Sequence, residues 1–141
     1  MSGYLLDTDF CIAVLRDRSL ELRDRFVRHA ADLGVSTITL TELLVGVAKS
    51  MWPEQKGVEV EGFVERLNVL PFDSAAAAHA ADIRADLERR GRPIGAYDVL
   101  IAGHARSRGL TVITGNLREF GRVDGLRCEN WLPDRDGFHE D

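Results

Sequence analysis

Cysteine is scarce in this chain, and no apolar run approaches the length of a membrane span. The two cysteines, Cys11 and Cys128, belong to no CxxC or mixed Cys/His spacing, which argues against a disulfide scaffold and against a zinc site. The N-terminus lacks the basic-then-apolar pattern of a signal peptide. We therefore expect a cytoplasmic protein with reduced, buried thiols and no membrane partner.

Several common catalytic signatures are also missing. The sequence has no GxSxG, P-loop or GxGxxG motif, which argues against hydrolase, nucleotide-hydrolysing and dinucleotide-binding sites of those types. The four histidines show no HxxxH spacing, so a metal-free ribonuclease with paired histidines is not indicated either.

The chain has only two lysines, Lys49 and Lys56, whereas arginine is frequent in its C-terminal half. The net charge of −5 argues weakly against nucleic acid, but an acidic active site would itself contribute to that charge. Arginine binds phosphate through paired hydrogen bonds, so its abundance suits a phosphate-rich partner. The alternative is that these arginines line solvated helix faces.

Short strand-like runs alternate with stretches of helical periodicity. The predicted strands cover residues 4–7, 35–39, 69–72, 110–114 and 126–129. The predicted helices cover 10–16, 20–32, 41–50, 58–67, 74–90 and 96–108, with a helical turn over 117–120 and a loop over 50–57. Ser74 is predicted as an N-cap, and Gly91 and Gly109 as helix stops. This order predicts a parallel sheet with helices on both faces. We expect one domain over residues 1–132 and a polar tail over 133–141.

Acidic side chains fall where such a sheet binds its ligands. Asp7 ends the first predicted strand, Glu42 lies in the first turn after the second, and Asp98 lies near the start of the helix before the fourth. Asn116 and Glu119 follow the fourth strand directly. Because parallel strands present their carboxyl ends at one edge, we expect these residues to be neighbours. Taken singly, each acid could instead cap a helix or complement its dipole.

Clustered carboxylates predict a cation among them. Each charge disfavours ionisation of its neighbours, and a divalent ion removes that conflict. Oxygen-only ligands favour Mg²⁺, or Mn²⁺, over zinc. One or two such ions can turn a water molecule into a nucleophile and offset charge on a phosphoryl group. The predicted reaction is phosphodiester hydrolysis, which leaves a 5′-phosphate and a 3′-hydroxyl.

Three segments carry a family resemblance: YLLDTDFCI, STITLTELLVGVAKS and GRPIGAYDVLIAGHARSRGLTVITGNLREFGRVDGLRCENW. In this order and spacing they resemble the PIN domain family, and within it the VapC toxins of toxin–antitoxin systems. The resemblance covers residues 4–131. It implies a three-layer α/β/α PIN-like fold with a mainly parallel sheet of four to five strands. It also implies a toxin that acts as a Mg²⁺-dependent endoribonuclease.

The resemblance further implies partners and residue roles. The expected partners are an RNA substrate, an inhibitory VapB-type antitoxin and a second copy of the chain in a homodimer. Asp7, Glu42 and Asp98 are implied as catalytic and metal-binding acids, with Thr114 beside the site. Thr8 and Asp9 are further candidates for supporting residues. Separately from the resemblance, the arginine-rich C-terminal half offers candidate RNA contacts: Arg89, Arg90, Arg92 and Arg118.

Two positions depart from the family pattern. The family usually has DTN at its first motif, and Asp9 replaces the asparagine here. We interpret Asp9 as a helix cap, with an additional ligand carboxylate as the alternative. A fourth acid commonly follows the fourth strand, and Asn116 occupies that place. Glu119, in the next turn, is predicted to supply the missing charge.

Three other functions stay open at this point. DTD at residues 7–9 resembles the nucleophile motif of haloacid-dehalogenase-type phosphatases, with Asp7 and Asp9 as the reacting pair. That chemistry also requires a threonine where Cys11 stands, a later lysine and a late acidic pair, and the only lysines here lie in the middle of the chain. A receiver-like phosphoacceptor would likewise need a lysine after a late strand. The third alternative is a PIN-fold nuclease that processes RNA and is not a toxin.

The apolar run after Glu42 contains candidates for both the core and a partner surface. We predict that Leu43 and Leu44 pack in the core. Trp52 stands beside a proline in the predicted loop, and we interpret it as an exposed anchor for a partner protein.

Overall fold

A computed structural model describes residues 3–16 and 20–132; the predicted polar tail lies outside the described residues. The strands are β1 (Tyr4–Leu6), β2 (Leu33–Ser36), β3 (Asn68–Leu70), β4 (Thr111–Ile113) and β5 (Cys128–Glu129). The helices are α1 (Thr8–Arg16), α2 (Leu20–His29), α3 (Thr37–Ala48), α4 (Pro53–Val64), α5 (Ser74–Arg89), α6 (Ala96–Arg108) and α7 (Leu117–Phe120). A short 3₁₀ turn, Ala30–Asp32, joins α2 to β2.

The five strands form one parallel sheet in the order β3-β2-β1-β4-β5. Successive residues of the central strands face opposite sides. In β1, Leu6 packs with α1, α3 and α4, whereas Leu5 packs with α5 and α6. Ile113 and Val112 of β4 divide in the same way. This alternation produces two apolar cores on either side of the sheet and confirms the predicted three-layer fold.

Glycines end α5 and α6 as the sequence predicts. Gly91 (φ 69°) and Gly109 (φ 67°) adopt the left-handed backbone conformation that glycine tolerates best. At each end a later amide reaches back to the helix: Arg92 N donates to Leu87 O and Leu110 N to Ala105 O, both at 2.9 Å. The turn at Gly109 connects α6 directly to β4.

Several predicted boundaries are wrong. The strand predicted over 35–39 is Leu33–Ser36, because the Ser36 hydroxyl accepts from Ile38 N at 3.0 Å and caps α3. The predicted loop over 50–57 contains the start of α4, where Pro53 takes the first-turn position that proline favours. Asp73, not Ser74, caps α5 by accepting from Ala76 N.

Two further features bear on the predictions. Cys11 is buried, Cys128 is half-buried, and both are free thiols. No helix in the described part of the chain combines the length and the apolarity needed to cross a bilayer.

Candidate active site

The predicted acids gather at the carboxyl edge of the sheet. Asp7 follows β1, and Thr114 follows the neighbouring strand β4. Glu42 lies on α3, which begins directly after β2, and Asp98 lies in the first turn of α6. The charges of Glu42, Asp98 and Asp9 all act electrostatically with that of Asp7. Asp7, Glu42 and Asp98 therefore lie at the same edge, as the sequence predicts.

Asp7 has two structural roles in addition to its charge. Its Oδ1 accepts a hydrogen bond from Phe10 N at 2.8 Å, so Asp7 caps α1. The Thr114 hydroxyl donates to the same carboxyl group. The prediction that Asp9 caps this helix is wrong, since Asp9 lies inside the first turn of α1 and is exposed. Asp7 itself is only 2% exposed.

Burial perturbs the acidity of Asp7. It raises the pKa of the Asp7 carboxyl to about 6, and the charges of Asp9 and Glu42 act in the same direction. The hydrogen bonds from Thr114 and Phe10 oppose this rise in pKa. A buried carboxylate that is hydrogen-bonded yet still reluctant to ionise is a group that gains from a nearby cation.

Asp98 is more strongly perturbed. Burial raises the pKa of its carboxyl to about 7, and the negative charges of Asp7, Glu119 and Asp9 add to the effect. A hydrogen bond between the Asp98 and Glu119 side chains also raises this pKa, because two carboxyl groups can share a hydrogen bond only while one is protonated. Near neutral pH the Asp98 carboxyl is therefore protonated in part of the molecules.

Glu119 and Asn116 have different positions in the region predicted for a fourth acid. Glu119 reaches back to the start of α6, where its Oε1 lies 3.4 Å from Gly95 N. Asn116 instead caps α7 through its Oδ1, which accepts from Glu119 N at 3.3 Å. The side chain that approaches Asp98 is therefore that of Glu119.

Glu42 is held by hydroxyl groups. Thr8 Oγ1 donates to Glu42 Oε1 at 2.7 Å, and the hydroxyls of Thr8 and Thr39 are 3.1 Å apart. Thr39 is buried and was not among the predicted site residues. Its position one helical turn before Glu42 on α3 is the signal that could have identified it.

The side chains at this edge suit a divalent cation by their chemistry. All donors are oxygens, and two carboxyl groups have raised pKa values that a positive charge would reverse. Among the described residues, no three acidic, histidine or cysteine side chains are close enough to form a ready-made metal cage. Mg²⁺ does not need such a cage, since it keeps several waters and uses one or two carboxylates.

The raised pKa values predict an unusual pH dependence of stability. The folded protein holds protons on Asp7 and Asp98 up to about pH 6 and 7, whereas an unfolded chain releases them near the ordinary pKa of 3.8. Without metal, the free energy of unfolding should therefore fall as pH rises from about 4 to about 7 and then level off. Asp98 should account for a fall in the free energy of unfolding on the order of 1–3 kcal/mol, after allowance for the partial exposure of its side chain.

Urea unfolding in EDTA across this range tests the prediction, with Asp98→Asn as the comparison. The free energy of unfolding of Asp98→Asn, relative to that of the wild type, should increase as pH rises. Added Mg²⁺ should stabilise only the wild type. Parallel pH curves for the two proteins would mean that Asp98 ionises normally.

The four predicted RNA-contact arginines divide into two pairs. Arg89 and Arg90 both pair with Asp86, at 3.6 and 2.9 Å. Arg92 and Arg118 are exposed and form no ion pair within residues 3–16 and 20–132. Arg118 directly precedes Glu119, so one available positive charge lies at the margin of the acidic site.

Apolar side chains are exposed on α3 and in the turn between α3 and α4. Trp52 is 70% exposed, as the sequence predicts, and Met51 beside it is 85% exposed. Leu43 is buried, but the prediction that Leu44 packs in the core is wrong, since Leu44 is 53% exposed. Surface apolar groups of this size are typical of protein-binding faces.

Comparison with known proteins agrees with this geometry. The sequence profile of the PIN domain family matches residues 4–126. The chain is 48% identical over 131 residues to a protein of Shigella flexneri named tRNA(fMet)-specific endonuclease VapC, covering 93% of this chain and 99% of that one. It is 45% identical over 132 residues to Ribonuclease VapC2 of Haemophilus influenzae, covering 94% and 100%.

Solved structures show the same likeness. The crystal structure of DNA-bound VapBC from Salmonella typhimurium contains a chain that is 48% identical, with a TM-score of 0.91 and coverage of 94% and 100%. VapBC2 from Rickettsia felis, bound to a promoter DNA fragment, gives 32% identity, a TM-score of 0.88 and the same coverage. These matches span nearly the whole fold, including every segment that contributes an acid. The chain belongs to the PIN domain family, and within it to the VapC ribonucleases.

Proposed function

We propose that this protein is the toxin of a toxin–antitoxin pair and cleaves RNA with the help of Mg²⁺ or Mn²⁺. The observation that carries the proposal is the convergence of Asp7, Asp98 and Glu119 at one sheet edge, with the pKa of both aspartates raised. The phosphatase reading of Asp7 and Asp9 loses its basis, because the chain belongs to a nuclease family.

In this proposal Asp7, Asp98 and Glu42 would hold the cation, directly or through the waters that Mg²⁺ keeps, and Glu119 would supply the charge of the fourth acid. A bound Mg²⁺ would activate water for attack on the phosphodiester and offset charge on the phosphoryl group. Phe10 N and the Thr114 hydroxyl fix the Asp7 carboxyl, while Thr8 orients Glu42. These bonds hold the Asp7 and Glu42 carboxyl groups in fixed orientations in the free protein.

Metal dependence is tested by incubating end-labelled RNA with the protein in EDTA and then in rising Mg²⁺ or Mn²⁺. Cleavage should require the ion and leave 5′-phosphate and 3′-hydroxyl ends. Equal cleavage in EDTA would contradict a metal-dependent mechanism.

For the substrate we propose initiator tRNA, because relatives that are 48% identical are named as endonucleases specific for tRNA(fMet). Purified initiator tRNA should be cut at lower enzyme concentrations than elongator tRNAs or a ribosomal RNA fragment. Sequencing RNA 5′ ends after induction in cells would show whether the same molecule is cut there. A dominant cleavage site in ribosomal RNA would replace this assignment.

A VapB-type antitoxin and a homodimer complete the proposal. Structures of related chains are described as VapBC complexes, and the exposed Trp52 and Met51 suit a protein partner. Induction of the chain should arrest growth, and co-expression of a short neighbouring reading frame should relieve the arrest. Active cleavage without growth arrest would instead favour an RNA-processing nuclease that is not a toxin.

Arg92 and Arg118 are the proposed RNA contacts. In an Asp98→Asn background, which keeps the RNA intact, Arg118→Gln should weaken binding and lower the slope of log K against log salt concentration by about 0.7–1. Arg84→Gln is the matched control, because Arg84 is already paired with Glu88 at 3.0 Å. Identical slopes for both variants would return Arg118 to the solvated surface.

A further inference from the structure

We propose that Arg122 is a positioning residue for the active site, and this inference rests on the proposed nuclease function. Arg122 follows α7 and lies outside the acidic cluster. Its side chain ties the turn after α7 to the loop of residues 91–95, which leads into α6 and Asp98. We call these two segments, residues 117–123 and 91–95, the bridged segments.

Two hydrogen bonds that involve Arg122 join the bridged segments to each other and to the end of α5. Arg122 Nη1 donates to Pro93 O at 3.0 Å. The Arg122 carbonyl in turn accepts from Arg90 Nη2 at 2.7 Å. The side chain of Arg122 therefore holds the middle of the loop, and its backbone carbonyl holds the residue just before the loop, which has no regular secondary structure of its own.

A third connection lies closer to the reacting groups. Gly95 N lies 3.4 Å from Glu119 Oε1, and Glu119 also hydrogen-bonds to Asp98. Gly95 is the N-cap of α6, and its carbonyl accepts from Val99 N at 3.0 Å. A shift of the 91–95 loop therefore moves the start of the helix that carries Asp98 and alters the distance from Asp98 to Glu119.

The surroundings of Arg122 indicate that the planar geometry of its guanidinium group matters more than its positive charge. Its Nε is buried and has no acceptor among the described residues. Burying a donor without a partner is costly, so the remaining contacts of the guanidinium must outweigh that cost. Arginine holds its donors in a rigid planar fork, which a lysine cannot reproduce.

Displacing catalytic groups by about 1 Å can lower a rate about a hundredfold. We therefore expect Arg122→Gln to lower kcat, measured at saturating RNA, by roughly 10- to 100-fold. KM should rise as well, because Arg92 and Arg118 lie in the bridged segments. The affinity for Mn²⁺, measured by calorimetric titration of the protein without RNA, should fall about tenfold. Arg122→Lys should fall between the wild type and Arg122→Gln in both measurements.

Arg127→Gln is the matched control. Arg127 makes comparable bonds, from Nη2 to Gly109 O at 2.9 Å and from Nε to Thr111 Oγ1 at 3.3 Å, but at the opposite edge of the sheet. Its loss should lower thermal stability without changing kcat or Mn²⁺ affinity. A structural role for Arg122 would give the same pattern as this control.

The outcomes separate the inference from the function on which it rests. If Arg122→Gln and Arg127→Gln share the same kcat and Mn²⁺ affinity, the positioning role is wrong. If Arg122→Gln does not fold, Arg122→Lys decides, and wild-type kcat and Mn²⁺ affinity in that variant would also contradict the role. If the wild type neither binds Mn²⁺ nor cleaves RNA in a metal-dependent way, the proposed nuclease mechanism fails and the inference fails with it.

Discussion

Replacing Asp98 by asparagine should reduce metal-dependent RNA cleavage by more than about a hundredfold. Loss of a residue that merely supports a metal ligand costs about 10- to 100-fold, and Asp98 is proposed as a ligand itself. Asparagine keeps nearly the same volume and removes the charge, so the fold should survive. Because the metal-free Asp98 carboxyl keeps its proton below its raised pKa of about 7, Mg²⁺ has to displace that proton, so the Mg²⁺ concentration that half-saturates wild-type cleavage should fall as pH rises from 6 to 8.

Single-turnover cleavage of end-labelled RNA at saturating Mg²⁺ measures the loss of activity in Asp98→Asn. Asp24→Asn is a suitable control, since Asp24 is an exposed acid paired with Arg28 on α2, at 3.5 Å. It should retain wild-type cleavage. Full activity of Asp98→Asn, with unchanged Mg²⁺ dependence, would remove Asp98 from the catalytic site.

Replacing Gly103 by alanine should have the largest effect on stability. Gly103 lies on α6 where that helix crosses α5, and an added Cβ would stand 2.5 Å from Ala80 N and 2.6 Å from Ala80 Cα. The obstacle is backbone, which cannot move aside as a flexible side chain would. The two helices must separate, and overpacking of this kind costs about 1–3 kcal/mol, sometimes more. For a chain of this size the melting temperature should fall by roughly 5–10 °C.

Gly62→Ala provides the contrast. Gly62 lies near the end of α4, and an added Cβ would meet nothing within 4 Å. Alanine is a better helix former than glycine, so this variant should gain about 0.5–1 kcal/mol. Thermal and urea unfolding of both variants measure the difference. Equal stabilities would show that α5 and α6 are not packed as closely as the structure has them.

The acids could be found from the sequence because of one topological rule. Parallel strands align their carboxyl ends, and Asp7 and Thr114 follow the two central neighbours of the sheet, β1 and β4. Residues far apart in the chain are then brought to a common edge without any detailed knowledge of packing. The same rule placed Glu119 in the correct region, although it could not show that Asn116 would be used as a cap.

Details that depend on competition between nearby groups were harder to predict. Asp7 and Asp9 are both good N-caps by residue type, and only the end of β1 decides that Asp7 is the cap. The start of α4 at Pro53 was hidden because a proline reads as a break as readily as a first-turn residue. By contrast, the i, i+4 spacing of Asp86 and Arg90 is typical of an ion pair on a helix, and the structure contains that pair.

Long-range polar contacts left no trace in the sequence. The bond from Arg122 to Pro93 joins residues 29 positions apart, and no periodicity links them. Likewise, the close crossing at Gly103 and Ala80 is invisible until α5 and α6 are placed side by side. Such contacts depend on the assembled tertiary fold, which is why sequence patterns alone did not indicate them.

Crystals soaked in Mn²⁺ and measured for anomalous scattering test the central claim most directly. We expect a strong anomalous peak at the carboxyl edge of the sheet, coordinated by oxygen atoms of Asp7 or Asp98 and absent in Asp98→Asn crystals. A peak bound elsewhere, or an empty edge at Mn²⁺ concentrations that support cleavage, would contradict it.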